Sequence, residues 1–171
     1  MQHDVVMRVS DLMTRDVASV QPRTSLHEAA ELMRSRDCGA VPVLDDGGRA
    51  IGILTDRDIM IAALETNRPL ADMRASDAMT RPAITVHEDE RLSHAESLMC
   101  RYQIRRLPVV NNEGRVLGIL ALGDLARVAG RDPERTEAGR EAVAATLAAI
   151  SSPPPGPSHP PPDSEPRSSP L

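Results

Sequence analysis

The chain has 171 residues and a formal net charge of −5, so no general electrostatic attraction draws it toward nucleic acid or an anionic membrane. Tyr102 is its single aromatic residue, whereas stacking of unpaired bases needs several aromatic faces. Asp4 and Arg8 fall where a signal peptide would need an apolar run, and no stretch approaches the roughly twenty apolar residues of a membrane span. We therefore expect a cytoplasmic protein without a nucleic-acid or membrane partner.

The chain repeats itself after 66 positions. Of the 50 positions from 10 to 59, 18 are identical to their partners, and the match needs no gap. The repeated motifs are Met13-Thr14 with Met79-Thr80, Leu26-x-x-Ala29-x-x-Leu32-Met33 with Leu92-x-x-Ala95-x-x-Leu98-Met99, Pro42-Val43 with Pro108-Val109, and Gly52-Ile53-Leu54 with Gly118-Ile119-Leu120. Such a repeat indicates one structural unit that is used twice.

Each unit predicts the element order β-α-β-β-α. In the first unit, a brief β stretch over 17–20 precedes a helix that begins near Leu26 and has apolar residues at helical spacing. Strands over 41–44 and 50–54, joined by a tight turn, predict a hairpin, and a second helix is expected over 55–65. The predicted bounds of the two units are 8–66 and 74–127.

Two further segments follow the repeats. Asp132-Pro133-Glu134 is a typical helix start, and the Ala-rich residues after it predict a C-terminal helix over 132–150. Nine of the 15 prolines fall within residues 151–171, which predicts a disordered, Pro-rich tail.

The residues that could perform catalysis or bind a metal form no recognisable pattern. Cys38 and Cys100 fit neither a disulfide framework nor a zinc motif, and the five histidines lack metal-ligand spacing. The chain also has no Gly-x-Ser-x-Gly motif and no phosphate-binding Gly-Lys loop. We expect no catalytic residue, no metal and no required cofactor.

Thr55 and Asp58 lie three residues apart where a strand is predicted to turn into a helix. Structurally, Thr-x-x-Asp is a capping box, in which each side chain binds a free backbone N–H of the first turn. Functionally, a helix N-terminus attracts phosphate, and a carboxylate there can accept both hydroxyls of a ribose. The second unit has Ala121 in place of the Thr but keeps Asp124, so both interpretations stay open.

A second difference between the units is the pair Arg105-Arg106, where the first unit has Gly39-Ala40. Paired arginines at the start of a short strand are commonly solvated surface residues. They can equally clamp a phosphate, because the guanidinium group matches phosphate oxygens bidentately.

Together these motifs resemble a tandem pair of CBS domains, named after cystathionine β-synthase and often called a Bateman module. The resemblance covers about residues 8 to 127, and the run Thr55-Asp56-Arg57-Asp58-Ile59 is similar to that of small bacterial proteins with little beyond one CBS pair, some linked to stress or hypoxia responses. It implies an α+β fold of two β-α-β-β-α units with pseudo-two-fold symmetry and three-stranded sheets packed through their helices. It also implies a non-catalytic sensor that binds an adenosine-containing ligand between the repeats and signals to a partner.

The resemblance implies roles for individual residues. In the family, the Thr and Asp of the Gly-h-h-Thr-x-x-Asp motif (h is apolar) hold the ribose, and the matching residues here are Thr55 and Asp58. The remaining implied contacts are Thr85, Val86 and Ile104 for adenine, Arg105 and Arg106 for phosphate, and Asp124, Val20 and Cys38 for a second, weaker site. The implied ligands are AMP, ADP, ATP, NAD or S-adenosylmethionine.

An alternative function is a ligand-free scaffold for dimerisation and protein interaction. We expect a homodimer that buries the apolar faces of the helices beginning near Thr55 and Asp124, including Ile59, Ile61 and Leu64. The competing interpretation is that these apolar residues face the other repeat of the same chain.

Overall fold

The structure, a computed structural model, describes residues 7–129 and, beyond them, Ala144, Leu147 and Ala148. These last three residues are helical. The rest of the predicted helix over 132–150 and the predicted tail over 151–171 lie outside the described residues.

The elements of the first repeat follow the predicted order, except that the β stretch expected over 17–20 is reduced to a single bridge at Val20 and a strand forms earlier in the chain. After a 3-10 turn, they are strand β1 (Thr14–Arg15), helix α1 (Leu26–Ser35), strands β2 (Ala40–Leu44) and β3 (Ala50–Thr55), and helix α2 (Asp56–Thr66). The second repeat contains helix α3 (Ala75–Ala78), strand β4 (Val86–His87), helix α4 (Leu92–Tyr102), strands β5 (Arg106–Val110) and β6 (Val116–Ala121), and helix α5 (Leu122–Ala129). The predicted α+β fold of two repeats is confirmed.

Local side-chain chemistry fixes the ends of these elements. Ser25 and Glu28 form a capping box at the start of α1, and the two hydrogen bonds that Ser25 donates hold the pKa of the Glu28 carboxyl below its usual range. In the β2–β3 turn, the Asp45 carboxylate accepts hydrogen bonds from the backbone N–H groups of Gly47 and Arg49, both at 2.9 Å. Gly48 adopts φ 77° there, a backbone conformation that glycine adopts without steric cost.

Each sheet receives an edge segment from the other repeat. In the second repeat the sheet order is β1-β6-β5-β4, where β1 belongs to the first repeat and pairs antiparallel with β6. In the first repeat, β2 and β3 pair with each other, Val20 bridges to β2, and Thr80 of the second repeat bridges to Ile53 of β3. The three expected strands of each sheet are thus joined by a fourth segment that the repeat pattern did not predict.

A glycine in each repeat makes this exchange possible. A Cβ at Gly118 would lie 2.8 Å from both the Met13 sulfur and the Thr14 carbonyl oxygen. A Cβ at Gly52 would lie 2.7 Å from the Met79 sulfur. The Met-Thr motif of one repeat therefore crosses the Gly-Ile-Leu motif of the other at a distance that only glycine permits.

Two apolar cores result, and each contains residues of both repeats. The first core includes Met73, Ala75 and Met79, which precede β4 in the chain. The second core includes Val9 and Met13, which precede β1. The most buried side chains include Leu26 and Leu54 in the first core and Leu107 and Leu120 in the second. Within the described residues, no helix is long and apolar enough to cross a membrane.

Glycine at position 118 is expected to be a requirement of packing. Gly118→Ala should lower the free energy of unfolding by about 1–3 kcal/mol, because the new methyl group overlaps Met13 and the backbone of Thr14. Gly123→Ala is the matched control, since a Cβ there meets nothing within 4 Å, and its effect should stay within about 1 kcal/mol. Urea unfolding measures both; equal stability of Gly118→Ala and the wild type would contradict the close crossing.

Glu96 gives a prediction about pH. Its half-buried carboxyl group on α4 makes no hydrogen bond or ion pair with a described residue, and burial raises its pKa. A raised folded-state pKa favours the protonated form, so the stabilising contribution is complete below the unfolded pKa and is lost as pH rises through the folded pKa. Glu96→Gln should therefore have a higher Tm than the wild type at pH 7, with a smaller difference near pH 4, while exposed Glu65→Gln serves as the control. A Tm difference that does not change with pH would contradict this account.

Candidate functional site

A cleft of about 240 Å³ lies between the two repeats. The first repeat contributes the end of β3 and the start of α2, and the second contributes the loop before β4 and the loop between α4 and β5. The lining residues are Ala40, Ile53, Thr55, Asp56, Arg57, Asp58, Thr80, Pro82, Ile84, Gln103, Ile104, Arg105 and Arg106. Five of the residues predicted for the ligand are therefore brought together: Thr55, Asp58, Ile104, Arg105 and Arg106.

Thr55 and Asp58 form the predicted capping box. Oδ2 of Asp58 accepts hydrogen bonds from the Thr55 N–H at 2.9 Å and from the Thr55 hydroxyl at 2.7 Å, and the Asp58 N–H donates to that hydroxyl oxygen at 3.1 Å. Oδ1 of Asp58 accepts no hydrogen bond from a described residue, and the side chain is half-buried at the cleft wall. Capping thus uses one carboxylate oxygen and leaves the other available.

The helix start itself is a poor phosphate site. The N–H of Asp56 donates to the Gly39 carbonyl at 3.2 Å, that of Arg57 donates to Oδ1 of Asp56 at 2.7 Å, and that of Asp58 donates to Thr55. Because the first three N–H groups of α2 already have acceptors within the protein, they are not open to an anion.

The positive charge of the cleft comes from three arginines. Arg57 and Arg105 are exposed, Arg106 is half-buried, and none of the three forms an ion pair with a described residue. A Cβ at Gly39 would lie 3.0 Å from Oδ2 of Asp56 and 3.6 Å from Nη2 of Arg106, so the missing side chain leaves room for both groups. Unpaired guanidinium groups at the mouth of a cleft can bind a phosphate bidentately.

The apolar part of the cleft differs from the expectation. Ile104 lines it, but Thr85 and Val86 do not. Val86 is buried in the second core and pairs with Val109 of β5, so its side chain cannot contact a base in the cleft. Ile84, two residues earlier in the loop before β4, lines the cleft instead.

The three residues predicted for a second site lie apart. Cys38 lines an open cleft between α1 and α2, whereas Val20 lines another beside the β2–β3 turn. Asp124 is 6 % exposed, and its Oδ2 accepts the Ala121 N–H at 2.7 Å. Its other oxygen, Oδ1, is bound by the guanidinium group of Arg127. Capping of α5 therefore accounts for the presence of Asp124 without a ligand.

Several lining residues were not predicted. Thr80 and Pro82 reach the cleft because their segment crosses Gly52. The sequence feature that marks this segment is the Met-Thr motif at its start. Ala40 stands where the second repeat has Arg106, and its small side chain leaves space at the cleft wall. Among the described residues, no group of three or more His, Cys, Asp or Glu side chains could hold a metal ion.

The family model for the CBS domain matches residues 9–65 and again residues 75–131. This chain belongs to the CBS domain family. The two matches make it a tandem CBS pair, and the cleft described above lies between its two CBS domains.

The CBS domain-containing protein YhcV of Bacillus subtilis is 40% identical over 118 residues, which are 69% of this chain and 82% of YhcV. A crystal structure of the CBS domain pair of MJ0100 with 5′-methylthioadenosine and S-adenosyl-L-methionine has a TM-score of 0.66 and 32% identity, and the match covers 73% of this chain and 97% of that one. The structure of CBSX2, an Arabidopsis thaliana protein, in complex with AMP has a TM-score of 0.64 and 30% identity, with 72% of this chain and 96% of that chain covered. Structural relatives of this CBS pair therefore bind adenosine-containing ligands.

Proposed function

We propose that this CBS pair is a non-catalytic regulatory module of the cytoplasm that binds an adenosine-containing ligand in the cleft between its repeats. The observation that carries the proposal is that Asp58, whose Oδ1 accepts no hydrogen bond from a described residue, lines the same cleft as Arg105 and Arg106, which form no ion pair within the described part of the chain. In this proposal Asp58 and Thr55 hold the ribose, Ile84 and Ile104 contact the adenine, and the two arginines bind phosphate.

Charge and size favour a mononucleotide such as AMP among the possible ligands. The cleft has three arginines and two aspartates, so a cationic sulfonium group such as that of S-adenosylmethionine would meet net positive charge. Its volume of about 240 Å³ is smaller than the roughly 300–1,000 Å³ of typical small-molecule pockets, which favours one nucleoside over a dinucleotide. The complexes of MJ0100 and CBSX2 support an adenosyl ligand in general.

Binding to a second copy is part of the proposal. Met60, Ile61 and Leu64 on α2 are 56%, 37% and 76% exposed and form an apolar strip that a homodimer could bury. Ile59, which was expected in that interface, lies in the first core and is not available. The same strip favours the second candidate function, a ligand-free scaffold. If the protein is such a scaffold, Leu64→Asp should lower the mass measured by light scattering, and no nucleotide should raise the Tm of the wild type.

Ribose binding by Asp58 can be separated from its capping role. Asp58→Ala and Asp124→Ala each remove a capping carboxylate at the third position of equivalent helices, and the lost cap should cost each about 1 kcal/mol of stability. Asp124→Ala should lose somewhat more, because its ion pair with Arg127 also disappears. Only Asp58→Ala should weaken AMP binding, by at least about tenfold, because only Asp58 has an oxygen free for the ribose. Isothermal titration calorimetry measures affinity and urea unfolding measures stability. If both variants bound AMP as the wild type does, the ribose role would be wrong.

The arginine pair should distinguish AMP from adenosine. Removing both guanidinium groups in Arg105→Ala/Arg106→Ala should weaken AMP binding by at least about tenfold, because even one charge-assisted hydrogen bond contributes about 1.5–3 kcal/mol, and should leave adenosine binding nearly unchanged. Arg101→Ala is the control, since Arg101 lies over the Tyr102 ring, 5.5 Å from its centroid, and outside the cleft. Equal losses for adenosine and AMP would show that the arginines do not bind the phosphate.

A further inference from the structure

We propose that Arg127 closes to ligands the position in the second repeat that is equivalent to the candidate cleft, so that each chain offers a single adenosine site; this inference rests on the proposed function. The 66-residue repeat makes Asp16, Asp37, Cys38, Ala121 and Asp124 the equivalents of cleft residues, and we call this set the twin position. Arg127 acts there as an internal ligand that takes the place of a ribose.

The argument starts from the two helix-capping carboxylates. Oδ2 of Asp58 and Oδ2 of Asp124 do the same work, since each accepts the backbone N–H of the residue three positions earlier. The other oxygens differ: Oδ1 of Asp58 has no partner among the described residues, whereas Oδ1 of Asp124 is bound by Arg127. The atom that a ribose would use is therefore occupied in the second repeat.

The identity of the residue three positions after each Asp explains the difference. Arg127 follows Asp124 by one helical turn and forms an i,i+3 ion pair with it. The equivalent residue in the first repeat is Ile61, which has no charge and no donor. The side chain of Asp58 is half-buried at the cleft, whereas Asp124 is 6 % exposed.

The charges of the twin position also oppose a phosphate. Asp16 and Asp37 stand at the positions of Pro82 and Gln103, and Gly39 stands at the position of Arg105. Asp16 pairs at 3.4 Å with exposed Arg36, and Asp37 forms no ion pair with a described residue. Gly123 stands at the position of Arg57, and Leu122 stands at that of Asp56. A nucleotide there would therefore lose two arginines, meet three carboxylates instead of two, and have to displace Arg127 from Asp124.

The blocking role of the Asp124–Arg127 ion pair can be tested by removing the site of the first repeat and then freeing the equivalent position of the second. The full-length chain is titrated calorimetrically with adenosine, which lacks the phosphate and so reports on the ribose position alone. The wild type should bind one equivalent, and Asp58→Ala should show no binding in the titrated range. Asp58→Ala/Arg127→Ala should bind one equivalent again, with an affinity at least tenfold above the weakest that the titration detects. Asp58→Ala/Arg115→Ala is the matched control, because Arg115 forms an exposed ion pair with Glu113 at 3.2 Å in the same repeat.

A second background avoids the helix cap. Thr80 is exposed and lines the candidate cleft, so Thr80→Arg adds to that cleft a guanidinium group that can bind Oδ1 of Asp58, as Arg127 binds Oδ1 of Asp124. The capping carboxylate stays in place, and the same Arg127→Ala gain is expected there.

The outcomes separate this inference from the proposed function. If Asp58→Ala still binds one equivalent, or if removing Arg127 adds no more binding than removing Arg115, the inference is overturned and the proposed function stands. If the wild type binds neither adenosine nor AMP, the proposed function fails. In that case, adenosine binding by the single variant Arg127→Ala would support the proposal that Arg127 blocks the second repeat. No binding by that variant would overturn this proposal as well.

Discussion

The rest of the structure depends on one contact, the close crossing of a Met-Thr motif over a glycine. This contact occurs twice, and each time the motif of one repeat crosses the glycine of the other. Met13 and Thr14 of the first repeat lie against Gly118 of the second, and Met79 and Thr80 lie against Gly52 of the first. Each crossing adds an edge segment to a small sheet and completes an apolar core. Because small sheets are only marginally stable alone, the exchange makes the two repeats one folding unit rather than two independently folded domains. It also carries Thr80 to the wall of the cleft.

Capping and ligand binding are compatible uses of the same aspartate. The capping box satisfies two N–H groups with one oxygen of Asp58 and the hydroxyl of Thr55, which leaves Oδ1 free in the cleft. A ligand that binds Oδ1 therefore need not break the cap, and α2 stays intact when the cleft is empty. In the second repeat the spare oxygen is taken by Arg127. The two helix starts share the capping carboxylate and differ in the residue that follows it by one turn, which binds the second oxygen in one repeat and not in the other.

Most elements could be predicted from the sequence, because a 66-residue repeat doubles the evidence for every helix, hairpin and cap. The exchange of edge segments between the repeats could not be predicted. Aligning Met13-Thr14 with Met79-Thr80 shows that the two segments are equivalent, but it does not show which of the two Gly-Ile-Leu motifs each segment crosses. The site shows the same limit. Thr55, Asp58 and the two arginines follow from motifs, and Ile104 follows from the family resemblance. Ile84 and Val86 are apolar residues two positions apart, and only packing decides that Ile84 lines the cleft and Val86 enters the core. Ile59 was likewise assigned to a surface but fills the first core.

The same exchange limits how the proposed ligand could act. Because the repeats are interlocked at both crossings, large rotations between them would tear out Met13 and Met79 from their cores. A ligand held by Asp58 on one side and Arg106 on the other would instead pull the start of α2 toward the second repeat. The far part of that same helix carries exposed Met60 and Leu64. A shift of α2 along its axis would therefore move this exposed apolar strip relative to a partner bound on it, and it would constitute regulation only if the ligand binds one of the two positions of α2 more tightly than the other.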